Sequence, residues 1–163
     1  MTQETPRIAM LIANGFDEVT FTTLQKVMIK QGFTTQVVSP ENAVVNGWTG
    51  QGWGCFFPVD AAINQTLAAD FDGLIIPGGS RSLEKLMKTA HTRRIFESFV
   101  NSLKPVLICG EETLYDELKS NLTNDEKEAL YHPSTTCADD LQKKCVSFIE
   151  DLTKASYDLS KAA

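Results

Sequence analysis

The stretch Lys104-Pro105-Val106-Leu107-Ile108-Cys109-Gly110-Glu111-Glu112-Thr113-Leu114 decides how the rest of the chain is read. Val106 to Cys109 is a short apolar run after a proline, the pattern of a parallel strand covered on both faces. Gly110 permits a sharp turn. Glu111 and Glu112 then fall where carboxylates meet the unpaired amides and positive end of a new helix. In open parallel sheets ligands sit outside the carboxyl ends of the strands, so the Cys109-Gly110-Glu111 corner is expected to face a pocket.

Working outward toward the amino terminus, Ile8 to Ala13 is a continuous apolar run ended by Asn14-Gly15, which reads as a buried strand and a turn. Phe21, Leu24 and Met28 form the stripe of a helix lying on a sheet, closed by Gln31-Gly32. Phe33 to Ser39 reads as a second strand, stopped by Pro40. Between residues 41 and 57, Gly47, Gly50, Gly52 and Gly54 are interleaved with Trp48, Trp53, Phe56 and Phe57. These glycines follow no clear strand and open no helix, so a phosphate cradle gives way to short hairpin strands with turn glycines. Core packing is the default for the four aromatics; a ligand wall or partner surface is the alternative.

Val59, Ala62-Ile63 and Leu67 predict a short helix, and Phe71 an anchor for a strand at Gly73 to Ile76. Pro77-Gly78-Gly79-Ser80 ends that strand, with Ser80 expected to cap a helix carrying Leu83, Leu86 and Met87. Ile95, Phe96, Phe99, Val100 and Leu103 predict another helix, with Arg93, Arg94 and Glu97 outward. Beyond the corner, Leu114 and Leu118 share a helix face. Thr123 to Glu126 has the spacing of a capping box for a short polar helix through Leu130. A last helix follows from Leu141, Cys145, Phe148, Ile149 and Leu152. Strands alternating with helices define an α/β fold with a mainly parallel sheet.

At 163 residues one domain is expected over 1–163, with a core at about 7–152 and a frayed tail over 153–163. A composition 42% hydrophobic and 22% charged suggests neither disorder nor a membrane span. The net charge of -6 argues against nucleic acid, whose binders carry a concentrated positive footprint. The first residues run into a strand without the zones of a signal peptide, so a cytoplasmic location is expected. Cys55, Cys109, Cys137 and Cys145 show no metal-finger spacing and read as thiols. Glu111, Glu112 and His132 lack the spacing of a metal site, His91 and His132 read as surface or loop histidines, and no cofactor is expected.

Four pieces stand in order: IAMLIANGFDEV at 8–19, the aromatic-glycine stretch ending FPVDAAI at 57–63, FDGLIIPGGS at 71–80 and KPVLICGEETL at 104–114. Together they resemble the ThiJ/PfpI superfamily over residues 7 to about 118, and ADDLQKKCVSFIEDL at 138–152 is similar to that family's last helix. The resemblance implies a flavodoxin-like three-layer α/β/α sandwich, similar to class I glutamine amidotransferases, that forms a homodimer. Active relatives place a cysteine in the strand-to-helix corner, often a histidine after it, and a glutamate from the first strand's loop beside it. Carried across, these positions fall on Gly110, Glu111 and Thr20, so the resemblance implies a degenerate site without catalytic residues. The corner also resembles that of the carboxy-terminal domains of large-subunit catalases, which share the fold without the nucleophile. Little room remains between Leu118 and Thr136 for further strands, so the far edge of the sheet is expected to be trimmed.

Two readings of the corner follow. As the end of an apolar strand, Cys109 is a small hydrophobe; in a shifted corner it is a nucleophile supported by Glu18 or Glu111. Asp17-Glu18 likewise suits either a helix start or a substitute for the missing glutamate. The expected pocket comprises Glu18, Thr20, Gly78, Gly79, Gly110 and Glu111, with Glu111 disfavouring anions there. The function expected first is binding, regulation or stress-related stabilisation of a protein partner or small ligand. The alternatives are cysteine-dependent glyoxalase, deglycase or peptidase-like chemistry through Cys109, and a small-molecule sensor.

Overall fold

Ile8, Ala9, Met10 and Leu11 are each exposed by 1% or less, as a strand covered on both faces requires. They belong to β1 (Arg7–Leu11), which pairs in parallel with β3 (Thr34–Ser39) on one side and β7 (Gly73–Ile76) on the other. The computed structural model describes residues 6–102, 104–109, 130–131 and 148. With β6 (Ala61–Ala62), β8 (Val106–Ile108) and β9 (Leu130–Tyr131), the sheet runs β6-β3-β1-β7-β8-β9 and every neighbouring pair is parallel.

Successive side chains of a strand point to opposite faces, and the core divides accordingly. Ala9, Leu11, Val106 and Ile108 face α2 (Ser80–Lys88) and α3 (Ala90–Asn101), which contribute Leu83, Leu86, Ile95, Phe96, Phe99 and Val100. Ile8, Met10, Leu107 and Cys109 face α1 (Glu18–Lys30), which contributes Phe21, Leu24 and Met28. Phe148, in helical conformation, is fully buried on that second face. This is the α/β/α arrangement of a flavodoxin-like fold.

A second sheet rides on the α1 side: β2 (Phe16–Asp17) pairs in parallel with β4 (Val44–Trp48), and β4 pairs antiparallel with β5 (Trp53–Pro58). Phe16, Phe21 and Phe57 meet edge to face with ring centroids 5.0, 5.1 and 5.5 Å apart, joining this sheet to α1. The hairpin expected at 41–57 is therefore present.

Several expectations need correcting. Two short 3₁₀ turns, Ile63–Gln65 and Ala68–Asp70, stand where one short helix was expected, and Leu67 between them is exposed. Their carbonyls need donors, so Arg94 turns back to the oxygens of Ile63 and Thr66, at 3.0 and 3.3 Å, rather than outward. Trp53 and Phe56 are exposed, whereas Phe57 packs inward against Phe16 and Phe21. Met87 is also exposed, leaving Leu83 and Leu86 as the buried stripe of α2. Leu130 lies in a strand rather than a helix, because β8 offers it backbone partners, and among the described residues β9 is the last strand on that side of the sheet. Leu103, Leu114, Leu118 and the remaining expectations for 110–129, 132–147 and 149–163 lie outside the described residues.

Candidate functional site

The carboxyl ends of β1, β7 and β8 converge on the loop from Ala13 to Asp17. The N–H of Ala13 donates to the buried hydroxyl of Ser82 at 2.9 Å, and the N–H of Gly15 donates to Asn46 O at 2.8 Å. From the next strand, Gly78 O accepts the N–H of Asp17 at 3.1 Å. Gly78 and Gly79 have φ of 100° and 96°, a region open to glycine at little cost. A Cβ on Gly79 would stand 2.6 Å from both Asp17 N and Gly15 O, so this turn is glycine because two backbones touch. The same closeness explains the helix start: Gly79, not Ser80, occupies the cap position of α2, without a side-chain cap bond.

Cys109 stands one residue beyond β8, and its N–H donates to Ile76 O at 2.8 Å, immediately before Pro77-Gly78-Gly79. It is 4% exposed, on the sheet face that carries Phe16, Phe21 and Leu107. Gly78, Gly79 and Cys109 thus share one end of the sheet with the start of α1. Gly110 and Glu111 lie outside the described residues.

Asp17 caps α1, its Oδ1 accepting the N–H of Thr20 at 3.2 Å. Thr20 is half-buried in the first turn. Glu18 begins the helix, but its carboxylate turns onto the hairpin, where Oε2 accepts the N–H of Cys55 at 3.1 Å. Two glycines make the seat: a Cβ on Gly47 would lie 2.9 Å from Oε2, and one on Gly54 closer still. Only Gly50 among the four hairpin glycines has a positive φ, 96°, as a turn glycine does. No local pattern in the sequence marks the seat, because its carboxylate lies 37 residues from Cys55.

Cys55 is the partner of Glu18 that the sequence does not reveal. It is exposed, and Glu18 pushes its thiol pKa up, first by accepting its hydrogen bond and then by its negative charge. The carboxylate is therefore engaged at Cys55 and acts there to suppress thiolate rather than to form it. Among the described residues, no group of three or more His, Cys, Asp or Glu stands close enough to hold a metal ion.

A parallel-sheet α/β sandwich with a glycine turn and a cysteine at adjacent strand ends defines the class of protein. The chain belongs to the DJ-1/PfpI family, whose model matches residues 6–153. It is 31% identical over 113 residues to YraA of Bacillus subtilis (strain 168), a candidate cysteine protease by name; the match covers 68% of this chain and 64% of YraA, just under two thirds of its length. Among solved structures, it is similar to a ThiJ/PfpI domain protein from Brachyspira murdochii at 15% identity and a TM-score of 0.70, over 90% of this chain and 98% of that one. DJ-1 of Schizosaccharomyces pombe is similar in fold at 13% identity and a TM-score of 0.66, over 93% and 97%.

Proposed function

We propose that this member of the DJ-1/PfpI family uses the fold as a cytoplasmic binding or regulatory scaffold, as a homodimer, rather than as a cysteine hydrolase. The observation that carries the reading is the engagement of Glu18 by the Cys55 N–H at 3.1 Å. Thr20, at the position where the resemblance expects a glutamate, carries a hydroxyl in place of a carboxylate. Exposed apolar side chains on α1 and the hairpin, Val19, Ile29, Val44 and Phe56, support self-association. The test is turnover of methylglyoxal, a peptide panel and glutamine by the purified protein and its Cys109→Ser variant. No activity above background in either is expected.

A second reading rests on a different observation. Cys109 follows β8 directly and its backbone bonds beside Gly78-Gly79, a suitable place for a nucleophile with oxyanion donors nearby. Relationship to YraA supports it too. In that reading Glu111 adjusts the thiol, and turnover abolished by Cys109→Ser is its signature.

A further inference from the structure

On the other side of the Asn14 loop, α2 and the hairpin enclose an open pocket of about 400 Å³ lined by Asn14, Trp53, Arg81, Glu84, Lys85 and Lys88. None of the site residues expected from the sequence lines it. The volume suits a small molecule. Its wall sets three cations against one carboxylate, on a chain whose net charge is -6. Lys85 pairs with Glu41, and Lys88 with Glu84 at 3.2 Å. Among the described residues, Arg81 has no carboxylate partner.

Arg81 is held by aromatic faces instead. Its guanidinium carbon lies 3.9 Å from the centroid of Trp48 and 5.3 Å from that of Trp53. The two indoles meet edge to face at 5.4 Å and 87°. A guanidinium whose carbon lies over an aromatic ring still has N–H donors at its rim, and these can take a carboxylate or phosphate with two parallel bonds. Trp53, 56% exposed, offers an indole surface beside that rim. Among the described residues, Arg81 is thus a cation set against aromatic rings with no carboxylate partner, next to an exposed indole.

We propose that this pocket binds a small ligand that carries an oxyanion on a flat ring, the oxyanion on Arg81 and the ring against Trp53. Lys85 and Lys88 are each offset by a paired glutamate, so the attraction for the oxyanion is local to Arg81. Glu84 and the Asn14 side chain favour a ligand with polar groups around the ring. Neither Cys109 nor Glu18 takes part, so a failed turnover assay and a failed binding test here are separate results.

Trp48 and Trp53 are the only tryptophans in the chain, so emission excited at wavelengths beyond tyrosine absorption comes from these two indoles. The probes are adenosine monophosphate and benzoate, titrated in phosphate-free buffer, with adenosine and inorganic phosphate as half-ligands. Saturable quenching by at least one probe, weaker with each half-ligand, is expected; which probe binds distinguishes a phosphate from a carboxylate ligand. Arg81→Gln should weaken it roughly tenfold. Trp53→Leu, which leaves Arg81 on Trp48, should weaken it as read through the remaining indole. Absence of saturable quenching by both probes, binding of adenosine equal to that of its monophosphate, or unchanged affinity in folded Arg81→Gln would each overturn the proposal.

Discussion

Glu18 and Cys55 form a pair whose chemistry can be titrated one residue at a time. A carboxylate beside a thiol holds its proton on, so at any pH near the midpoint less thiolate is present than on an isolated cysteine. Glu18→Gln removes that charge; the pH dependence of Cys55 alkylation should move to lower pH, and the rate at mildly alkaline pH should rise. Gly54→Ala should act in the same direction, since the new Cβ displaces the carboxylate from its seat. An alkylation profile for Cys55 unmoved by Glu18→Gln would refute the pairing. The sequence left Glu18 open between helix start and site acid. The structure makes it the first residue of α1 and gives its carboxylate a third use, which no local pattern records because the glycine seat forms only when the hairpin folds over the helix.

At the level of elements, the turn after β7 is the joint on which the site depends. Gly79→Ala combines a positive φ with a backbone collision and should cost about 2–5 kcal/mol, measured as a lower urea midpoint at constant slope. Gly50→Ala is the control: its φ is 96° but nothing lies within 4 Å, so only the backbone cost of about 1–2 kcal/mol remains. Equal losses at the two positions would show that the contact with Asp17 and Gly15 is unimportant. Elements marked by continuous apolar runs, β1, β7 and β8, were legible because burial on both faces leaves no other pattern. Ser80 was misplaced as a cap because the close approach of Gly79 to another loop, a tertiary effect, decides where α2 begins. Leu130 falls at the end of a helical pattern in the sequence because a strand of two residues has too little length to show a period of its own.

For the whole molecule, the link between the two sheets is aromatic. Phe21 lies on α1, touches Phe16 of β2 and Phe57 of β5, and is fully buried beside the main sheet's core. Phe21→Ala should therefore destabilise the protein by about 3–5 kcal/mol in denaturant unfolding; a loss under 1 kcal/mol would mean that the hairpin docks independently of α1. The α/β class and the family were legible from strand order and four ordered motifs. What the site does was less so, because the resemblance places functional side chains by position, while Glu18 shows that a side chain can turn to a partner outside the motif.

The proposed scaffold role requires that the thiol beside the strand-to-helix corner is not activated. It is tested most directly by alkylating the native protein near neutral pH and locating the label over time by peptide mass spectrometry. The account predicts that exposed Cys55 is modified before Cys109, which is 4% exposed, and that Cys109 reacts more slowly than it does in the unfolded chain. Modification of Cys109 ahead of Cys55, and faster than in the unfolded chain, would contradict it.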